Sequence, residues 1–458
     1  MPRRLLIATS VLIVIVAAAY VAVNRVLAGD LVRSTLEQQL STRLQQPVRI
    51  GAASASIFPT ASLDLHDVTI GRPASVTVAR LQLVTGLRGL FSRRVEEAEV
   101  RLVDGQVAWP LPFAIAPAPP PGAPAARPPF TIGSVRRIVF RNVTLVTALP
   151  PIVIDVDAAL DGDRLSISHA AARSGRTRLE ATGAIQSLAR LQGHLDLKGE
   201  LVFAGYDARD LAARLAISSS GLSLSPLTFA MFGGRFTGRL DADLHGAVPQ
   251  VRINGDVGGA NAAEIVKALG SPGTLSGRLG GHLALAVSGS DGPALLRSSH
   301  GTIDATVRDG ALPHLDLVRS IVLAFGKPSG VPPPGSGSTF STLGGDFALA
   351  NETLTSNNLS MTSRDFDLAG RGVLHADSGA VQANADVILS KELTAQSGTD
   401  LRRYAQEDGR VVVPVTIGGT LEHPTVFVDI AAASRRALEN EIRRRARDFL
   451  GGLFKKKK

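Results

Sequence analysis

The sequence predicts a mainly β protein built from antiparallel meanders, with one long apolar segment at the N-terminus, few short helices and a basic helix at the C-terminus. Three observations carry this reading. Apolar and polar residues alternate through most of the chain after Pro47. Glycine (46 residues) and proline (26 residues) are plentiful, as many turns between short strands require. Stretches with the helical period of 3.6 are few and short. The chain has 458 residues, only 4% of them aromatic, so its interior must be aliphatic. It contains no cysteine, which excludes disulfides, zinc–thiolate sites and a cysteine nucleophile.

In chain order, "MPRR" (1–4) reads as a cytoplasmic stub and Leu5 to Asn24 as an uncharged run. At 1.5 Å per residue that run spans roughly 30 Å, the hydrocarbon thickness of a bilayer. It is longer than the apolar core of a cleaved signal peptide, so it reads as a retained anchor. Arg3 and Arg4 favour an N-terminus on the cytoplasmic side. "GDLVRSTLEQQLSTRLQQP" then reads as an amphipathic helix: Asp30 is placed to cap it, Val32, Leu36, Leu40 and Leu44 form one stripe, and Pro47 stops it.

Period two takes over from there. Val76/Val78, Leu81/Leu83, Leu165/Ile167, Leu195/Leu197, Leu222/Leu224 and Ile303/Ala305/Val307 are clear cases. Two stretches interrupt it by composition: the Pro/Ala-rich 110–130, expected to be an extended linker, and "KPSGVPPPGSGS" (327–338). Three helical interruptions are expected. "NAAEIVKALG" carries Asn261 and Glu264 at capping-box spacing and Gly270 as a stop. "PHLDLVRSIVLAF" should start on Pro313, and "ELTAQSGTDLRRYAQ" is weaker. "GAVPQVRI" and "GTLEHPTVFV" repeat a pattern of glycine, turn, proline and alternating apolar residues, with proline opening a strand. The segments are therefore 25–109, the linker 110–130, a body 131–430 and a basic tail 431–458.

The net charge of +9 is a local matter. Between Arg435 and Lys458 ten Arg and Lys face three acidic residues, a surplus of seven. The body lacks the basic face interleaved with aromatics that nucleic-acid binding needs, so no nucleic-acid partner is expected. Arg443, Arg444, Arg445, Arg447, Lys455, Lys456, Lys457 and Lys458 are instead candidates for a membrane surface. No metalloprotease, phosphate-loop or nucleophile-elbow motif occurs. Asp161/Asp163, Asp241/Asp243 and Asp365/Asp367 sit two apart, which puts each pair on one strand face. A solvated outer face explains them best. The expectation is a non-enzyme without catalytic residues, metal or cofactor.

A one-sided apolar strand such as "ASLDLHDVTI" must be covered by helices, by a second sheet, by barrel closure or by a ligand. The expected helices are too few for some twenty strands. Candidate residues for an externally covered face are Leu63, Leu65, Val68, Ile70, Leu283, Leu285, Val287, Val411, Val413, Val415 and Ile417.

The apolar run, the amphipathic helix, "QPVRIGAASASIFPTASLDLHDVTIG" and "VARLQLVTGLRGLFSRRVEEAEVRLVDGQVAW" resemble the N-terminal half of the AsmA family. "FGGRFTGRLDADLHGAVPQVRINGDVGGANAAEIVKALG", "LSGRLGGHLALAVSGS", "SHGTIDATVRDGALPHLDL", "LTSNNLSMTSRDFDLAGRGVL" and "VPVTIGGTLEHPTVFVD" are similar to its C-terminal half, in the same order. Ala108 departs from the asparagine often found there, before Trp109. The resemblance implies a protein anchored in the inner membrane and facing the periplasm of a Gram-negative bacterium. It also implies a long twisted sheet bent into an apolar groove, akin to bridge-like lipid-transfer proteins, with a role in outer-membrane biogenesis and phospholipid as cargo. An assembly factor that helps outer-membrane proteins fold through exposed strand edges is the alternative. Roughly 20–25 strands at ~4.8 Å spacing reach on the order of 100–120 Å, so a protein partner is expected to complete a span between two membranes.

Overall fold

A computed structural model describes residues 29–56, 60–86, 94–95, 97–108, 131–132, 134–147, 150–203, 205–246, 248–289, 294, 297–324, 333–396, 409–435, 438–439, 442 and 446. The expected anchor (5–24), the linker 110–130 and most of the basic tail lie outside these residues. Among the described residues no helix is long and apolar enough to cross a membrane. Twenty-two strands belong to one sheet, and two short ones pair separately in parallel. The chain divides into two compact units, one running to Phe229 and one from Ala230, with Asp243–His245 grouped with the first.

The first unit begins with α1 (Gly29–Leu44), β1 (Val48–Arg49), β2 (Ala52–Ser56), β3 (Ala61–Ile70), β4 (Val76–Thr85), β5 (Arg94–Val95) and β6 (Ala98–Ala108). It continues with β7 (Thr131–Ile132), β8 (Ser134–Val146), β9 (Ile152–Asp161), β10 (Arg164–Ser174) and β11 (Thr177–Ser187). β12 (Gln192–Phe203), β13 (Tyr206–Ser218) and most of β14 (Gly221–Met231) complete it. Of the expected stripe of α1, Leu36, Leu40 and Leu44 are buried, and the Val32 side chain lies outside what is described. Asp30 lies inside the helix, which starts at Gly29, rather than capping it. Polar ties fix α1 to the following chain, since Glu37 Oε1 accepts from Ile50 N at 2.7 Å and Ser41 Oγ from Val48 N at 2.9 Å.

Pairing in this unit is antiparallel apart from the short β5–β7 pair and one longer pair. β6 and β8 run parallel, with Val100 opposite Ile138 and Leu102 opposite Phe140. This corrects the expectation of a purely antiparallel sheet. Parallel neighbours need a long crossover, and the Pro/Ala-rich 110–130 lies in the connection between them.

The second unit holds β15 (Gly234–Asp243), β16 (Gln250–Asn261), α2 (Ala262–Ala268), β17 (Ser276–Ser288), β18 (His300–Leu312), α3 (Leu317–Ala324) and β19 (Ser338–Ala350). β20 (Thr353–Thr362), β21 (Phe366–His375), β22 (Val381–Leu389), α4 (Lys391–Gln396), β23 (Val412–Gly419) and β24 (Pro424–Val428) follow. From β16 to β24 each strand pairs antiparallel with the next. Asn261 caps α2 as expected, its side-chain oxygen accepting from Ala263 N at 3.0 Å. Gly270 follows at φ 91°, the left-handed stop. α3 starts at Leu317 rather than Pro313, because Asp316 turns to the segment before β19: its carboxylate accepts from Gly335 N at 2.8 Å and Gly337 N at 2.6 Å. That contact orders the end of the glycine-rich stretch, and Ser338 is buried at the start of β19. Pro249 and Pro424 stand at the openings of β16 and β24, the place anticipated for them.

Left-handed residues set the bends. Asp67, Asp104 and Asn142 have φ of 53°, 54° and 55°. The pairings β3–β4, β4–β6 and β6–β8 each skip a residue at their level. The skip falls on both strands of each pair, so the register is kept there. The register shifts instead in β8–β9, between Phe140 and Val143, and such a bulge sharpens the twist of a strand. Gly301 in β18 is the tightest kind of position: φ is 147° and a Cβ there would lie 2.1 Å from the carbonyl oxygen of Ala284. Gly301→Ala is expected to cost about 2 kcal/mol or more, from the strained backbone and the displaced neighbouring strand. Denaturant unfolding measures it; a variant as stable as the parent would mean the strands separate there at no cost.

Candidate functional site

Cross-strand register shows what the alternation in the sequence builds. In the first unit one row of directly opposed residues crosses nine strands: Leu63, Leu83, Val100, Ile138, Ala158, Ile167, Gly183, Leu195 and Leu215. The first five are buried in a cluster with Leu36, Leu40 and Leu44 of α1. Further along, Ile167, Leu195 and Leu215 are only half-buried. The neighbouring row repeats this, from buried Leu65 and Leu81 to half-buried Leu197. One apolar face is thus sealed by a helix at one side and open at the other.

The second unit has the same construction. Ile253 opposes Leu285, Leu283 opposes Ile303, and Ile303 opposes Phe347. Gly301 lies between Leu285 and Leu349. All of these side chains are half-buried. On the same face, Val307, Met361, Leu368, Val387, Val413 and Val415 are buried in a cluster with Leu317 and Ile321 of α3. Again a short helix seals part of the face and leaves the rest open.

The opposite face is polar. His194, Asp196, Lys198 and Glu200 on β12 are exposed, as are Arg252, Asn254 and Asp256 on β16 and His300, Thr302 and Asp304 on β18. Its polar side chains pair locally: Arg214 Nε with Asp196 at 3.2 Å and Arg80 Nε with Asp64 at 2.8 Å as ion pairs, and His282 Nδ1 with Asp256 Oδ1 at hydrogen-bond distance, 2.9 Å. The Asp163 carboxyl is held below the usual carboxylate range by the Ser187 hydroxyl and then by the Ala189 N–H. Exposed pairs of this kind contribute little to stability and mainly keep one side of the sheet wet. A hollow of about 310 Å³ lies on it beside the left-handed residues, lined by Asp67, Thr77, Asp104, Gln106, Asn142 and Thr144 among others. Asn142 Nδ2 donates to Asp104 Oδ1 there at 2.6 Å, and Asn142 N donates to Asp155 Oδ1 at 2.8 Å. Among the described residues no group of three His, Asp or Glu is placed to hold a metal ion.

The residues singled out from the sequence fall into three sets. Leu63, Leu65, Val68 and Ile70 are 1–4% exposed and packed with α1. Val411, Val413, Val415 and Ile417 are 0–7% exposed and share the second core. Both sets are covered by side chains of this chain. Leu283, Leu285 and Val287 are half-buried on the open face. The basic candidates Arg443, Arg444, Arg445, Arg447 and Lys455 to Lys458 lie outside the described residues. Sequence reasoning left out Ile253, Phe347 and Leu349 as lining residues, although the same alternation marks them; register alone brings them beside Leu285.

The sheet has one polar face and one apolar face, and its own chain covers the apolar face only in part. Residues 154–365 match the model of the AsmA family. The resemblance read from the sequence is borne out over that stretch. No curated protein and no solved structure matches the chain.

Proposed function

We propose that the open apolar faces hold the acyl chains of membrane phospholipid, and that the protein serves lipid traffic in outer-membrane biogenesis from an inner-membrane anchor at residues 5–24, its bulk in the periplasm. The observation that carries this is the partial cover. Ile253, Leu283, Leu285, Ile303, Phe347 and Leu349 form a contiguous apolar surface outside the cluster that α3 joins. Each methylene laid on such a surface contributes about 0.8 kcal/mol relative to water. A bilayer offers a lipid the same, so exchange between bilayer and sheet is close to neutral and can follow concentration without fuel. The kinship of residues 154–365 to the AsmA family supports this reading. The chemistry asked of the protein is burial rather than bond-making, so no catalytic residue is assigned.

The test is a photo-crosslinking amino acid at Leu285, followed by mass spectrometry of the detergent-extracted full chain. Covalently captured phospholipid is expected, with no capture from Thr302 on the polar face. Captured polypeptide instead of lipid would favour a factor that assists protein assembly and would overturn the lipid reading.

A further inference from the structure

β24 ends the ladder of the second unit, and among the described residues its only strand partner is β23. The ladder fixes which backbone groups face that partner. Asp429 N donates to the Pro414 carbonyl oxygen at 3.0 Å, and Thr420 and His423 exchange both bonds, at 3.3 and 3.2 Å. Antiparallel bonding alternates from residue to residue. Thr425 and Phe427 therefore bond inward to β23, while Val426 and Val428 turn their N–H and C=O groups outward. Neither valine has a backbone partner on that side among the described residues. Edges are normally blunted by charge, by proline or by a bulge. Here Thr425 to Val428 are uncharged β-formers, and Pro424 stands only at the start. Val426 and Val428 pack into the second core, whereas Phe427, on the polar side opposite Thr416, is 69% exposed.

Open donors and acceptors in strand geometry call for another strand, and the order of side chains selects which one. We infer that β24 is a dimer edge, pairing antiparallel with β24 of a second copy about a two-fold axis at Phe427. In this register Val426 lies opposite Val428 of the second copy, and the reverse, so every outward N–H and C=O group of the two valines is used. Phe427 meets its own mate at a non-hydrogen-bonded site, where opposed side chains come closest and an aromatic pair stabilises the sheet. Thr425 stands opposite Asp429 of the second copy, so no like charges oppose each other. An axis at Val426 would instead set Val428 against Pro424, which has no N–H to give. An axis at Val428 would set Val426 against Ile430, which is helical. On the apolar side the valine pairs lie beside Val415 and Ile417. A contact of this symmetry closes at two copies. It rests on the edge of β24 alone, not on whether the open faces hold lipid.

The experiment uses the full chain in a non-ionic detergent. Sedimentation over a concentration series is expected to show monomer and dimer only. Val426→Pro removes an outward N–H and no bond to β23, so by symmetry two bonds between the copies are lost. Association should weaken about tenfold or more, with the unfolding midpoint unchanged. Phe427→Ala should weaken it about fivefold. The register is read with thiols, which the parent chain lacks. At a non-hydrogen-bonded site the Cα atoms are ~4.5 Å apart, within reach of a disulfide, so Phe427→Cys should oxidise to a covalent dimer. Thr425→Cys, roughly 14 Å from its mate, should not. A parent that sediments as a monomer at every concentration would overturn the proposal. So would a Val426→Pro protein that associates like the parent, or equal crosslinking by the two thiol variants. If Val426→Pro fails to fold, the thiol variants still decide.

Discussion

Leu285→Glu, combined with Ile303→Glu, is expected to reduce the lipid that co-purifies with the protein by about tenfold while leaving it folded. Both residues are half-buried on the open face, on adjacent paired strands: Leu285 opposes Ile253, and Ile303 opposes Leu283. Without lipid, each carboxylate can reach water, so the fold loses little. With acyl chains on the face, each carboxylate must be desolvated, at a cost of several kcal/mol per ion. That exceeds what a few methylenes return at ~0.8 kcal/mol each. Thr302→Glu, on the exposed polar face of the same strand, is the matched control and should leave bound lipid unchanged. Native mass spectrometry reads both. Equal lipid in all three proteins would show that the bound lipid does not sit on this face.

Leu40→Ala should behave in the opposite way, damaging stability first. Leu40 is 2% exposed in the cluster that also holds Leu63, Leu65 and Val100. Truncating such a buried leucine costs about 2–5 kcal/mol, because the cavity only partly collapses. Leu195→Ala, on the open part of the same face, should cost clearly less, since water already reaches that side chain. Hydrogen exchange of the full chain separates the two effects. Faster exchange in α1 and β3, with β17 and β18 unchanged, is the expected signature of Leu40→Ala. If both substitutions cost the same, α1 would not be what seals that side of the first unit.

These two experiments probe side chains that look alike in the sequence. Leu63/Leu65 and Leu283/Leu285 show the same alternation, yet one pair lies under α1 and the other is open. Alternation reports that a strand has an apolar side; it carries no information about what covers that side. The run Val411 to Ile417 shows the same limit, since its burial depends on Leu317 and Ile321, nearly a hundred residues earlier in the chain. The parallel pairing of β6 and β8 was equally hidden, because a proline-rich stretch of unpatterned sequence separates the two strands and says nothing about where the chain re-enters the sheet. The left-handed residues Asp67, Asp104 and Asn142 left a faint mark, a small polar residue inside an apolar alternation.

Taken by itself, the sequence determined the β-rich class, the leucine stripe of α1, the Asn261 cap and Gly270 stop of α2, and the division of each strand into a wet side and a dry side. These are local: each follows from backbone geometry and from neighbours within about four residues. Only the tertiary structure decided which dry sides are filled. Two short helices, α1 and α3, are set over part of each unit's apolar face, and the area they leave is a matter of which distant segments meet. Burial is a property of those meetings, so the open surface around Leu285 became visible only once the strands were in register.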